Sequence, residues 1–349
     1  MSRATVLLAL VTLFSLPLHP LHAAGSVSVE RTLYMMGTRV TLAVEAADRA
    51  TAIQQLERMI RSLERTEENL STWRAVSELS RLNRHPVGQP FNLGPEVCAL
   101  WPTLTHWYRA TAGAFDPGVG SLIDVWGLRQ AGRRPTVDQL ASARAVAGFA
   151  HFEVDSAPDA CRVTRLVDVT IDAGAFGKGE ALRQLRVDLG RDVVWKADLG
   201  GQLAVSDMAV SSEPWPVAIA HPAHRDVSVL EVVLTTGSLA TSGASERSFE
   251  VDDGQTVAHI LDPRTGQSLQ SRSSVTVWHE DPLIADILST ALYVLGLDAG
   301  LRFAESYGLA ALFLVPPHSS ERRAVSVRPS QAFADRFSTR VRAGHPIVP

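Results

Sequence analysis

Cysteine is almost missing from this 349-residue chain: Cys98 and Cys161 are its only thiols, and neither has histidine partners, so a zinc site built on them is excluded. In an oxidising compartment the two either pair or sit apart as buried apolar residues, and their spacing leaves both open. A basic excess is also missing. The formal net charge is −4, which excludes a field suited to nucleic acid or an anionic membrane surface. Internal repeats and low-complexity segments are lacking, and so are long apolar runs after the N-terminus. There, Arg3 precedes the apolar stretch Val6 to Leu18, and His22-Ala23-Ala24-Gly25 supplies small residues for cleavage. This is the pattern of a secretory signal peptide over 1–24, too short in its apolar run for a comfortable membrane span. With no cysteine near the cleavage point to carry a lipid, the expectation is an exported, soluble mature chain without a transmembrane segment.

What is present reads as ordinary globular sequence, 46% hydrophobic and 20% charged. Ser26 to Val44 alternates as a strand pair around the turn Tyr34-Met35-Met36-Gly37-Thr38. Asp48 caps a helix whose buried stripe reads Ile53, Leu56, Ile60, Leu63, with Glu64, Glu67 and Glu68 as its solvated end. A second helix carries Pro102 in its interior, which predicts a kink. Residues 129–160 read as a peripheral helix and hairpin without chemistry, and Leu166 to Ile171 as a strand. Strands outnumber helices and several run as hairpins, so the fold class is α+β, with antiparallel-rich sheets and packed helices. One domain over 26–330 and a frayed tail over 331–349 complete the expected organisation.

Three stretches carry chemistry. Asp172-Ala173-Gly174-Ala175-Phe176-Gly177-Lys178-Gly179 is a glycine-rich loop with a lysine opening a helix, which aims backbone N–H groups and a point charge at phosphate. It lacks the spacing of a Walker loop or a dinucleotide fingerprint. Asp286 and Thr290 are four apart on a helix, so a carboxylate and a hydroxyl share one face, an arrangement that suits a hard cation such as Mg²⁺. His259 enters from an apolar run and meets the turn Asp262-Pro263-Arg264-Thr265-Gly266, which either places and orients a proton-transfer group or simply ends a strand over a hydrogen-bonded turn; the octet alone leaves both open.

Together with Leu70-Ser71-Thr72-Trp73, Ser77 to Asn83, Ala114-Phe115-Asp116-Pro117, Trp126-Gly127, Leu199-Gly200-Gly201 and Thr241-Ser242-Gly243, these stretches resemble the ApbE family of FAD:protein FMN transferases, in family order over roughly Leu33 to Val315. The resemblance implies an ApbE-like, T-fold-like domain in the bacterial periplasm that binds FAD with its diphosphate at Mg²⁺. By position, Met36, Trp73, Ala114, Phe115, Asp116, Asp172, Lys178 and Ile260 would contact FAD. Ala175 (through its carbonyl), Asp286 and Thr290 would hold the metal. His259 would take the proton from an acceptor threonine, and the products would be AMP and a flavinylated acceptor. That acceptor is expected to be a membrane-associated redox flavoprotein carrying a Ser/Thr-Gly-Ala-Ser/Thr motif.

Several positions depart from the family pattern. Trp73 replaces a tyrosine, Glu180 and Arg183 replace an aromatic and an aspartate, Gln202 replaces an asparagine, and Ala244-Ser245 replaces an Asp-Tyr pair. Glu180, Arg183 and Ala244-Ser245 motivate one other reading, an FAD-binding protein that no longer recognises an acceptor, and water in place of threonine as nucleophile gives another, a Mg²⁺-dependent FAD pyrophosphatase. The stretch 241–245 also looks like the acceptor motif itself, which raises self-modification as a further expectation to test.

Overall fold

The computed structural model describes residues 26–157, 160–207, 214–243, 248–250, 256–269, 271–316, 325–337, 340–341 and 347–348. The signal segment and Ala244-Ser245 lie outside the described residues. Alternating sequence produces a nine-stranded sheet: β1 Val27–Met35, β2 Thr38–Ala46, β3 Val194–Leu199, β4 Gln202–Val205, β5 Gly237–Gly243, β6 Ser274–His279, β7 Ala310–Val315, β8 Val325–Pro329 and β9 Ile347–Val348. The strands lie side by side in chain order, every pair antiparallel except the parallel β8–β9 pair. Two three-stranded sheets flank it, one of 90–92, 160–165 and 152–157, the other of 340–341, 224–234 and 215–221. The α+β, antiparallel-rich expectation describes this architecture.

Three helices position the site: α1 Arg49–Leu70, α2 Gly177–Leu189 and α3 Pro282–Tyr307. Asp48 caps α1 by accepting from Thr51 N–H at 2.9 Å. The buried face of α1 is rotated from the expected stripe. Ala52, Leu56, Met59 and Leu63 are fully buried against β2 and α2, whereas Ile53 is exposed and Ile60 only partly buried. Truncating Leu56 to alanine in this packed face would cost about 2–5 kcal/mol.

α3 is long and apolar enough to cross a bilayer, yet most of it is packed as core, and Gly296 breaks its helical geometry midway. The helix Pro95–Ala110 runs through Pro102 and carries Cys98, which is bonded to Cys161 with Cα atoms 6.1 Å apart, so the two thiols form a disulfide.

Two expectations are corrected. Leu166 to Ile171 is not a strand: the strand ends at Arg165, and side chains take over the pairing. Asn83 donates to the Ile171 carbonyl and accepts from Ile171 N–H, both at 2.8 Å, while Arg165 Nε donates to the Val169 carbonyl at 2.7 Å. A backbone satisfied in this way needs no neighbouring strand. The expected frayed end is also ordered over part of its length. Ser330 caps the helix Gln331–Arg336, and Phe333 and Phe337 are buried in the cluster beneath β7 and β8, which gives that segment apolar area to bury.

Candidate active site

The β1–β2 hairpin closes through Met36 and Gly37, flanked by the pair Met35 and Thr38. Both central residues have positive φ, 51° and 70°, as a tight hairpin turn demands. Glycine takes this conformation without strain, but a methionine there costs of order 1 kcal/mol. The turn is pinned by Met36 N–H donating to Glu67 Oε1 at 2.9 Å and by Tyr34 O–H donating to the Gly37 carbonyl at 2.8 Å. Glu67 is therefore more than the solvated end of a helix. The bond holds Met36 toward the start of α2, where a Cβ on Gly177 would stand 3.9 Å from the methionine methyl.

After α1, Ser71 Oγ accepts from the N–H groups of Trp73 and Arg74 at 3.2 and 3.1 Å, which turns the chain and leaves Trp73 64% exposed beside the hairpin. Thr72 Oγ1 donates to Asp172 Oδ2 at 3.1 Å. The same oxygen accepts from Arg129 Nη2 at 2.7 Å, and Oδ1 accepts from Gly174 N–H at 2.8 Å. Asp172 thus ties the tryptophan loop, the 126–133 loop and the glycine-rich loop together, and Arg129 belongs to the site although its segment reads as peripheral in sequence.

These elements surround a cleft of ≈ 910 Å³, at the upper end of the range for small-molecule sites. Of the expected contacts, Met36, Trp73, Asp172, Lys178 and His259 line it. Tyr34, Arg39, Glu67, Arg74, Asp198 and Arg225 line it as well, from strand ends, the last turn of α1 and the loop after it, and periodicity gave no sign of them. Lys178 Nζ reaches the Gly200 carbonyl at 3.4 Å, at the mouth of α2. Burial pushes the Asp198 carboxyl up, against the opposing pull of the Gly201 N–H and of Lys196, Lys178 and Arg39.

His259 is half-buried and clamped from both sides. Ser268 Oγ bonds both the N–H and the carbonyl of Ala258, at 3.0 and 2.9 Å, and Leu269 N–H donates to the Ile260 carbonyl at 3.0 Å. Beyond it, Asp262 accepts from Arg264 N–H, Nε and Nη2 at 2.9, 2.9 and 2.8 Å. Burial alone would raise the Asp262 carboxyl, but the arginine bonds outweigh it and hold the group below its ordinary value. Trp126 Nε1 donates to the Gly266 carbonyl at 2.8 Å, which fastens the far end of the turn.

Asp286 is buried in the first turns of α3, and its Oδ2 accepts from Gly179 N–H at 2.8 Å, so a carboxylate lies at the positive end of α2. The two helices approach so closely that a Cβ on Gly179 would stand 2.6 Å from the Pro282 carbonyl oxygen. Among the described residues no three His, Cys, Asp or Glu side chains gather. The family resemblance adds the Thr290 hydroxyl and the Ala175 carbonyl to this carboxylate as the set that would hold a cation. This all-oxygen set fits Mg²⁺, which takes few protein ligands, and does not fit zinc.

Not every expected residue reaches the cleft. Ala114, Phe115 and Ile260 are 1%, 1% and 8% exposed and belong to the main core cluster, whose packing claims their side chains. Asp116 faces a second cleft with Tyr108, Arg144 and Arg264, and its Oδ1 accepts from the N–H groups of Gly118 and Phe149 at 2.7 and 2.9 Å. Its carboxylate therefore shapes a turn and does not line the first cleft.

The departures are absorbed locally. Glu180 and Arg183 form a two-pronged pair at 2.7 and 3.0 Å, so no unpaired charge is added beside the lysine. Gln202 donates to the Pro282 carbonyl at 2.8 Å, bracing the start of α3. Thr241 and Ser242 are committed within β5, to Thr276 at 2.9 Å and Ser289 at 2.9 Å, while Ser245, the last hydroxyl of that stretch, lies outside the described residues.

Relatives share this arrangement of elements. FAD:protein FMN transferases of Vibrio cholerae and Haemophilus influenzae are each 29% identical to the chain, over 276 residues (77% of this chain, 80% of the relative) and 261 residues (70% and 74%). The structure of Pseudomonas stutzeri flavinyl transferase ApbE in its apo form matches with a TM-score of 0.75 at 27% identity, covering 89% of this chain and 97% of that one. The ApbE protein of Thermotoga maritima matches at 0.77 and 27%, covering 88% and 98%. The ApbE family profile matches residues 36–313. With a family match over most of its length and the same fold, this chain belongs to the ApbE family.

Proposed function

We propose that this chain is an exported, Mg²⁺-dependent FAD:protein FMN transferase that moves the FMN moiety of FAD onto a threonine hydroxyl of an acceptor flavoprotein and releases AMP. The observation that carries this reading is that Met36, Trp73, Asp172, Lys178 and His259 line one cleft together, with Asp286 seated at the adjoining helix end. Met36 and Trp73 offer a polarisable and an aromatic surface to a ring. Lys178 and the N-terminus of α2 offer positive charge to the diphosphate. Asp286, Thr290 and the Ala175 carbonyl would hold Mg²⁺, which when bound neutralises phosphate charge.

In this reading the acceptor threonine oxygen forms a bond to the FMN phosphorus, and the bond from that phosphorus to the AMP oxygen breaks. The hydroxyl proton passes to His259, and AMP departs with the bonding electrons. Asp262 to Gly266 and Ser268 fix the backbone on both sides of His259, so the strand end that carries the imidazole is set without help from the substrate. The Cys98–Cys161 disulfide supports export to an oxidising compartment such as the periplasm. The acceptor is a membrane-associated redox protein with a Ser/Thr-Gly-Ala-Ser/Thr motif.

The test is incubation with FAD, Mg²⁺ and such an acceptor domain, followed by intact-mass measurement. Wild type should add one FMN to the acceptor, and His259→Ala should bind FAD yet transfer none. Free FMN with an unmodified acceptor would replace this reading with a pyrophosphatase, and bound FAD with no AMP released would replace it with a binding protein.

A further inference from the structure

A row of hydroxyls runs beside the Asp286–Thr290 pair, and one carbonyl fixes the direction of every proton in it. Ser289 Oγ donates to the Asp286 carbonyl at 3.0 Å. A serine hydroxyl has one hydrogen, so at its 2.9 Å contact with Ser242 Oγ, Ser289 accepts and Ser242 donates. The hydrogen of Ser242 is thereby committed, and the 3.2 Å contact between Ser242 Oγ and Thr290 Oγ1 runs the other way, with Thr290 donating. Ser242 and Ser289 are 8% and 1% exposed, so bulk water does not compete for these bonds. Among the described residues Ser242 is the one side-chain partner of Thr290 Oγ1.

We propose that Ser242 is a positioning residue: it draws the Thr290 proton toward β5 and leaves the lone pairs of that oxygen presented as a cation ligand. Ser289 supports this one step removed, by occupying the hydrogen that Ser242 would otherwise turn toward Thr290. Without Ser242, the Thr290 hydroxyl would bond back to a carbonyl of its own helix, the default for a helical threonine, or aim its hydrogen into the metal position. Groups behind a metal ligand act on the ion by fixing the ligand's orientation in this way. The inference rests on the reading of Asp286 and Thr290 as cation ligands.

The test is Mn²⁺ titration followed by electron paramagnetic resonance, with ADP supplying a diphosphate that carries no transferable flavin. Wild type, Asp286→Ala, Ser242→Ala and Ser289→Ala are compared, and thermal unfolding without cation monitors the fold. Asp286→Ala should lose Mn²⁺ binding. Ser242→Ala and Ser289→Ala should each weaken it about tenfold. Ser289→Ala is the sharper variant, because the Ser289 hydroxyl makes no hydrogen bond to the Thr290 hydroxyl, and a role confined to packing predicts no change in Mn²⁺ affinity. It also decides the matter if Ser242→Ala does not fold. Loss in Asp286→Ala with wild-type affinity in Ser289→Ala overturns the proton order and leaves the cation reading standing. Full affinity in Asp286→Ala, or none in wild type, removes the cation reading and this inference with it.

Discussion

Arg129 Nη2 lies 2.7 Å from Asp172 Oδ2, joining a segment 43 residues earlier in the sequence to a carboxylate that lines the cleft. The pair is largely removed from water, with side chains 22% and 12% exposed. Replacing Arg129 by methionine keeps the length and leaves the carboxylate with only its Thr72 and Gly174 bonds. A stability loss of about 2 kcal/mol is expected, from stranding a partly buried charge. FAD binding should weaken more, because a bare carboxylate then faces the diphosphate, and the deficit should shrink as salt rises. FAD titrations of Arg129→Met at low and high salt check this, and an affinity equal to wild type at both would dismiss the role.

The Met36 turn stores strain where the ring surface is needed. Asparagine tolerates the left-handed conformation and with Gly37 forms a favoured hairpin turn. Met36→Asn should therefore gain about 0.5–1 kcal/mol in denaturant unfolding while its FAD affinity falls. A stability unchanged or lowered in that variant would show that the φ of 51° is not a strained conformation here.

Parts of this site could be read in the sequence because their causes are local. The glycine-rich loop, the Asp286–Thr290 spacing and the turn after His259 each follow from residues within eight positions of one another. Arg129, Glu67 and Asn83 could not be read in this way. Each acts on a backbone or carboxylate group that is distant in sequence, on Asp172, Met36 and Ile171 respectively. The rotated face of α1 has the same origin: Ala52 and Met59 are chosen by what β2 and α2 present, which helical periodicity does not contain.

Gly179 is where α2 and α3 touch. An added methyl would stand 2.7 Å from Asp286 Cβ and 2.6 Å from the Pro282 oxygen, one of them backbone that cannot swing away. Gly179→Ala should push the helices apart, costing about 1–3 kcal/mol. It should also lengthen the Gly179–Asp286 hydrogen bond, so that Mg²⁺ no longer raises the melting temperature. A variant that melts lower but keeps the full Mg²⁺ response would separate the helix contact from the metal position.

The Cys98–Cys161 bridge closes a loop of 63 residues. By the chain-entropy account, cross-linking a loop of that length stabilises the fold by about 4 kcal/mol. Reductant, or the Cys98→Ser and Cys161→Ser double variant, should lower the melting temperature by an amount that does not depend on Mg²⁺. Equal melting with and without reductant would mean that the bridge adds nothing to the fold.

Asp116 gives the fold a pH dependence separate from the chemistry of His259. Burial pushes its carboxyl from 3.8 up to about 6, against the pull of the Gly118 and Phe149 N–H groups. A folded value above the unfolded one means that the native state holds the proton more tightly. The group's stabilising contribution is therefore fully present below pH 3.8 and is lost as pH rises through about 6. Both backbone bonds end on Oδ1, an acceptor that asparagine retains without the charge. Asp116→Asn should accordingly exceed wild type by about 1–2 kcal/mol in unfolding experiments near pH 7.5, and the gap should close near pH 4. Because this side chain faces the second cleft, flavin transfer in Asp116→Asn should stay near the wild-type rate. A large loss of transfer with stability unchanged would return Asp116 to the FAD site.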